Sequence, residues 1–165
     1  MMDPVFRWIE HGWLSQWLRE SSWAFLAVVV AHTLGMGVLA GGGSVIALRI
    51  LGVAPQIPLA PLRRFLPVLW AALALNLVSG LLLLTAYPTK ALTNPVFFIK
   101  LTCVGLAVWA TVAIRDRVLA LPEPLPASAR RLALASLVLW LAAITAGRFL
   151  AYTYTRLLVD LRAHF

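Results

Sequence analysis

Residues 23–48 read WAFLAVVVAHTLGMGVLAGGGSVIAL, and the run carries no Asp, Glu, Lys or Arg before Arg49. A helix rises about 1.5 Å per residue, so about 20 apolar residues cross the roughly 30 Å of bilayer hydrocarbon. This stretch is long enough to do so, and three more like it follow. The second runs from Phe65 to Tyr87 and is closed by Tyr87-Pro88. The third starts after Asn94-Pro95 and ends at Arg115, with Lys100 near its beginning. The fourth runs from Leu132 to Tyr152 and contains Arg148. Strand alternation is absent, and the runs are too long for barrel strands of about 10 residues. The expected fold is all-α: one polytopic membrane domain over 1–165, with four transmembrane helices (22–50, 65–87, 96–114 and 132–152) in a bundle and a tail at 153–165.

Composition excludes the other classes. Of the 165 residues, 62% are hydrophobic and only 12% are charged. A soluble surface with so few charges would expose wide apolar patches, and a disordered chain would not be this apolar. The net charge of +8 comes from 14 Lys and Arg against 6 Asp and Glu. The basic residues lie between the apolar runs, where they meet anionic lipid headgroups and set topology, and nucleic acid is not the expected partner. The single cysteine, Cys103, excludes an intrachain disulfide and any CxxC metal motif.

Residues 3–20 form an amphipathic segment. Asp3-Pro4 is a helix start, and Val5, Ile9, Trp13 and Trp17 fall on one face, with Arg7, Glu10, His11, Gln16, Arg19 and Glu20 elsewhere. This pattern predicts an interfacial helix with a break at Gly12, anchored among the headgroups by its tryptophans. The acids at 3 and 10 and the missing basic n-region argue against a cleaved signal peptide. Arg49, Arg63, Arg64, Arg115, Arg117, Arg130 and Arg131 lie in the two short loops. They outnumber the basic residues outside the apolar zone on the other side. Both termini are expected outside the cytoplasm. The proline-rich connectors at 53–64 and 122–129 are stiff, and neither a phosphate loop nor an internal repeat is visible.

Three groups of residues carry chemistry. His32 lies near the middle of the first run with Met36 at i+4 on the same face, and an intramembrane histidine marks function by default. It is read as a hydrogen-bonded partner of Asn76, as an axial ligand of haem b, or, with Met36 and Cys103, as a soft copper site. Two-histidine haem ligation would need His11 or His164, both outside the spans. Lys100 and Arg148 are the second group: with Tyr87, Tyr152 and Tyr154 at the rim they would make a cationic pocket for a lipid phosphate, a haem propionate, a quinone carbonyl or a partner's carboxylate. Lys100 can also snorkel outward, and Glu20 is the acid placed to neutralise either cation. The third group is the glycines. Gly37 and Gly41 form a GxxxG, read as helix packing within the bundle, and Gly41-Gly42-Gly43 is a place where the helix can bend or end.

Several phrases occur together: Trp23-Ala24-Phe25 leading to His32, Leu48-Arg49-Ile50-Leu51-Gly52, Ser79-Gly80, Asn94-Pro95-x-Phe97-x-x-Lys100 and Gly147-Arg148. In these the chain resembles an uncharacterised family of small four-helix bacterial inner-membrane proteins. Its first-helix histidine and glycine-rich stretch are also similar to the copper-resistance CopD membrane domain. The resemblance implies a four-helix bundle in a bacterial inner membrane, which would make the expected outer side of both termini periplasmic, with His32, Lys100 and Arg148 as its residues of interest. Ala47 stands where an acid commonly precedes Leu-Arg-x-Leu-Gly, and the third helix has no histidine near its inner end; both departures weigh against a metal or two-histidine haem site. The expected function is a non-catalytic anchoring or accessory subunit, with other membrane subunits or further copies of itself as partners. The alternatives are a haem- or copper-binding protein centred on His32, and a small transporter.

Overall fold

The computed structural model describes residues 4–122 and 124–163, with side chains described for 4–122 and 124–153. All regular structure among them is helical: α1 (Pro4–Glu10), α2 (Trp13–Glu20), α3 (Ser22–Ile50), a short 3-10 helix (Ala60–Phe65), α4 (Leu66–Ala86), α5 (Pro88–Leu92), α6 (Pro95–Arg117) and α7 (Ala127–Ala163). Four of these are long and apolar enough to cross a membrane: α3, α4 with its 3-10 lead-in, α6, and α7 to Thr153. The protein is an all-α, multi-pass membrane protein.

Local chemistry sets the helix ends. Ser21 accepts the Ala24 N–H at 3.2 Å and starts α3, and Asn94 accepts the Val96 N–H at 2.9 Å ahead of Pro95 to start α6. Pro67 sits in the first turn of α4, where its missing N–H costs nothing. Beyond α3, Gly52 turns the chain with φ of 102°. Arg49 then fastens this turn: it is 6% exposed, and its guanidinium donates to the Pro55 carbonyl at 2.9 Å and to that of Ile57. This loop arginine is thus a staple within the fold as well as a topology signal. At the same end, Arg115 lies 5.9 Å from the Trp70 ring centre and pairs with Asp116.

The main helix contacts run α4–α3–α7–α6, with α3 and α7 in the middle. The glycines of α3 permit this, though not the pair expected. Gly37 and Gly41 face open space, and the helix passes Gly41-Gly42-Gly43 without a break. The close approaches are at Gly35, where a Cβ would lie 3.1 Å from the Ala72 carbonyl oxygen on α4, and at Gly43, where it would lie 2.6 Å from Trp140 Nε1 on α7. The Trp140 indole is fully buried over Gly43, in a core with Leu39, Ile46, Leu69 and Ala107. Its Nε1 and Ser136 Oγ, one turn away, have no hydrogen-bond partner among the described residues.

At the opposite end from the loops, which we term the cap end, the N-terminal segment forms two helices broken at His11-Gly12. Three of its polar residues, Glu10, Ser15 and Arg19, turn toward the bundle. Ser15, fully buried, and Arg19 each donate to the Ala86 carbonyl at 3.4 Å, satisfying an orphan oxygen at the negative end of α4. Arg19 also donates to the Glu10 carbonyl, and Glu10 Oε1 accepts from Thr89 Oγ1 at 2.6 Å. The tryptophans point outward: Trp8, Trp13 and Trp23 are each more than three-quarters exposed. Polar-in and aromatic-out is the arrangement of an interfacial belt.

The glycine contacts separate two neighbouring positions. Gly43→Leu must displace the Trp140 indole and is expected to destabilise the bundle by about 1–3 kcal/mol. Gly41→Ala meets nothing and is expected to be neutral or stabilising by up to about 1 kcal/mol. Unfolding in detergent micelles measures both.

Candidate functional site

The polar centre of the bundle is assembled from three spans. From α3, His32 directs Nδ1 at α4, 3.2 Å from the Asn76 carbonyl oxygen and 3.1 Å from Ser79 Oγ. Asn76 returns the contact, its Nδ2 donating to the His32 carbonyl at 2.9 Å. From α6, Lys100 Nζ reaches His32 Nε2 at 3.2 Å. Each polar atom of the imidazole therefore has a partner on another helix.

The pattern assigns the tautomer. The Asn76 carbonyl oxygen only accepts, and Ser79 Oγ spends its own proton on the Leu75 carbonyl at 2.6 Å. Nδ1 is then the protonated nitrogen, and Nε2 presents a lone pair to an N–H of Lys100. Lys100 has no other hydrogen bond and no carboxylate partner among the described residues. An ammonium has three donors, and here one is used.

Two glycines make room for the group, and a third lies beside it. A Cβ at Gly80 would lie 3.2 Å from His32 Cε1, so α4 presents bare backbone to the ring edge. Gly35, a turn from His32, lets α3 and α4 come close enough for the reciprocal Asn76 bond, since a Cβ there would lie 3.3 Å from Asn76 Cβ. Gly147 of α7 lies beneath the Lys100 stem, 3.6 Å from its Cε to an added Cβ. Helix register explains why the stem bridges the gap. From the Gly43–Trp140 contact, His32 is about 16 Å along α3 and Gly147 about 10 Å along α7, both toward the cap end. The difference of about 6 Å is the reach of a lysine stem. On α6 that stem leans toward the helix N-terminus, which is the cap end.

The other residues singled out in the sequence are dispersed. Arg148 follows Gly147 with an exposed side chain, and Tyr152 is 68% exposed. Tyr87 packs edge-on against Phe25 with ring centres 5.8 Å apart. Tyr154 and His164 lie outside the residues whose side chains are described. Glu20 is exposed, and His11, also exposed, bonds the Arg7 carbonyl at the cap end. The expected cationic pocket is thus divided: Lys100 turns inward to His32, while Arg148 and Tyr152 lie on the outer face of α7.

Met36 is partly buried against the apolar core, and Cys103 is a half-buried free thiol. Among the described residues no three His, Cys, Asp or Glu side chains gather at one point. A haem iron or copper ion needs a lone pair on a ring nitrogen of His32. Nδ1 carries a proton toward α4, and the Nε2 lone pair faces an ammonium, where a metal cation would have to displace Lys100. As arranged, the residues do not fit a cation there.

The Lys100–His32 contact, Ser79, Gly80 and Gly147 were not assembled into a site from the sequence, although Ser79-Gly80 and Gly147-Arg148 stood out as phrases. Comparison of the chain with known protein families, curated proteins and solved structures finds no match.

The reciprocal bond sets a measurable quantity. Asn76→Leu leaves the His32 carbonyl without its donor, and interhelical hydrogen bonds in membranes contribute about 0.6 and up to about 1.7 kcal/mol. The variant is expected to lose about 1 kcal/mol in a micelle unfolding titration, with Leu77→Ala on the exposed side of α4 as the control.

Proposed function

We propose that this chain is a non-catalytic subunit of a larger membrane complex, and that it contributes a proton-binding centre formed by Lys100 and His32. The observation that carries the reading is the 3.2 Å contact between two basic side chains within the spans, with no acid paired to either among the described residues. Ionisable side chains inside a bundle that pair with one another are the usual elements of intramembrane proton and ion chemistry.

The geometry supports a coupling between charge and position. The Nε2 lone pair accepts from Lys100 only while His32 is neutral. A proton added at Nε2 removes that acceptor and sets two cations against each other, and unit charges about 4 Å apart repel by about 4 kcal/mol at an effective dielectric near 20. The Lys100 stem passes over Gly147, where an added Cβ would lie 3.6 Å from its Cε. Proton occupancy and lysine position therefore change together. Short connectors, and no catalytic constellation among the described residues, support the role of a subunit that lends this centre to other polypeptides.

Titration by NMR of protein labelled with 15N at His and Lys, in lipid nanodiscs, tests the centre. The His32 and Lys100 signals are expected to change in one coupled step that Lys100→Met abolishes. Two independent steps overturn the proton-binding reading. Native gel electrophoresis of gently solubilised membranes tests the subunit reading: migration with other polypeptides is expected, and a lone monomer overturns it.

A further inference from the structure

The exposed face of α7 holds a charge that nothing in the fold accounts for. Val138, Leu141, Ile144, Phe149 and Tyr152 are each 43–68% exposed along it, and Arg148, also exposed, stands in their midst. Between Arg131 and Arg156 the sequence contains no other charged residue. The opposite face is spent, with Trp140, Ala143 and Ala146 buried inside the bundle.

Arg148 lies within the apolar part of α7, five residues before Thr153, whose Oγ1 accepts from Asn94 Nδ2 at the start of α6. The Arg148 Cα lies eight residues before Arg156, about 12 Å along the helix. The α7 helix runs toward the cap end, and helical side chains favour leaning back toward their own N-terminus, which for α7 is the loop end. Lys100, on the antiparallel α6, leans the other way. A guanidinium presented to lipid costs at least a few kcal/mol on insertion scales, and an acid from a neighbouring helix relieves that cost.

We propose that the α7 face centred on Arg148 docks a transmembrane helix of a different polypeptide, one that carries an Asp or Glu at the depth of Arg148. The inference rests on the subunit reading above and specifies its contact. Charge complementarity selects the partner. A second copy of this chain cannot supply the acid, because the four spans contain no Asp or Glu except Asp116, which lies at the loop end of α6 and is paired with Arg115. The apolar side chains around Arg148 suit a helix as the carrier of that acid, with a guanidinium–carboxylate bond fixing its register.

Site-specific photo-crosslinking tests this, with benzoylphenylalanine at Ile144 or Tyr152 of the full chain in its native membrane. The expected product is a cross-link to one polypeptide, through a transmembrane segment bearing an Asp or Glu. Arg148→Leu is expected to cut the yield about tenfold, the effect of about 1.4 kcal/mol of binding. Arg148→Lys retains most of it, and Arg148→Glu with the partner acid changed to Arg restores it. Cross-links to lipid alone, cross-links to a second copy, or a yield unchanged by Arg148→Leu overturn the proposal. The coupled His32–Lys100 titration, retained in Arg148→Leu, shows that the variant is folded. A larger native complex without an Arg148-dependent cross-link removes this face alone, whereas a lone monomer removes the subunit reading with it.

Discussion

Within hydrocarbon no water is at hand to satisfy a polar group, so one inside the spans is stabilised by a partner on another helix or on its own backbone, a partner that Trp140 Nε1 and Ser136 Oγ lack among the described residues. The reciprocal bond between His32 and Asn76 meets that constraint where α3 and α4 pass, and much of the rest follows from it. The bond forms only if the two backbones approach closely, which is what the bare Cα positions at Gly35 and Gly80 allow. With Nδ1 committed to α4, the imidazole can turn only Nε2 elsewhere, and Lys100 comes across α7 to meet it. Gly43 then lets the Trp140 indole seat α7 against α3 a few turns deeper. Small residues and polar bonds cooperate here because apolar contact alone does not choose between a helix and lipid.

The same constraint governs the cap end in a different medium. There α4 ends with orphan carbonyls, and the N-terminal helices supply Ser15 and Arg19 to one of them. A helix pair that turns its serine and arginine inward must turn its tryptophans outward, and the interface is where an indole tolerates that exposure. The belt and the α4 cap are two sides of one amphipathic arrangement.

The four spans were legible because length and apolarity are local properties of a sequence. So was the His32–Asn76 pairing, since the polar residues deep within two neighbouring spans have few alternatives. The Lys100–His32 contact was not legible, and the reason is geometric. Counting from the start of each apolar run placed His32 deep and Lys100 shallow. The count assumes that the runs begin at one level, whereas the helices are offset along their axes, as the register of the Gly43–Trp140 contact shows. The glycines show a similar limit. A GxxxG spacing marks one face of a helix but not the face a neighbour will use, and in α3 the neighbours use Gly35, Gly42 and Gly43. Arg49 was read only as a loop charge because nothing local distinguishes a topology signal from a buried staple.

Lys100 and Arg148 look alike in the sequence: each is one cation in an otherwise apolar span. Their fates differ because α6 and α7 run in opposite directions. A lysine on α6 leans toward the cap end and meets His32 on the way, with its stem over Gly147. An arginine at the neighbouring level on α7 favours leaning toward the loop end and, one residue beyond Gly147, lies on the far side of the helix from the bundle. The first cation is absorbed into an internal pair whose geometry depends on a proton. The second is left outside, with no acid paired to it among the described residues. The division follows from helix direction and rotation alone, and it separates what the bundle does within itself from what it presents to its surroundings.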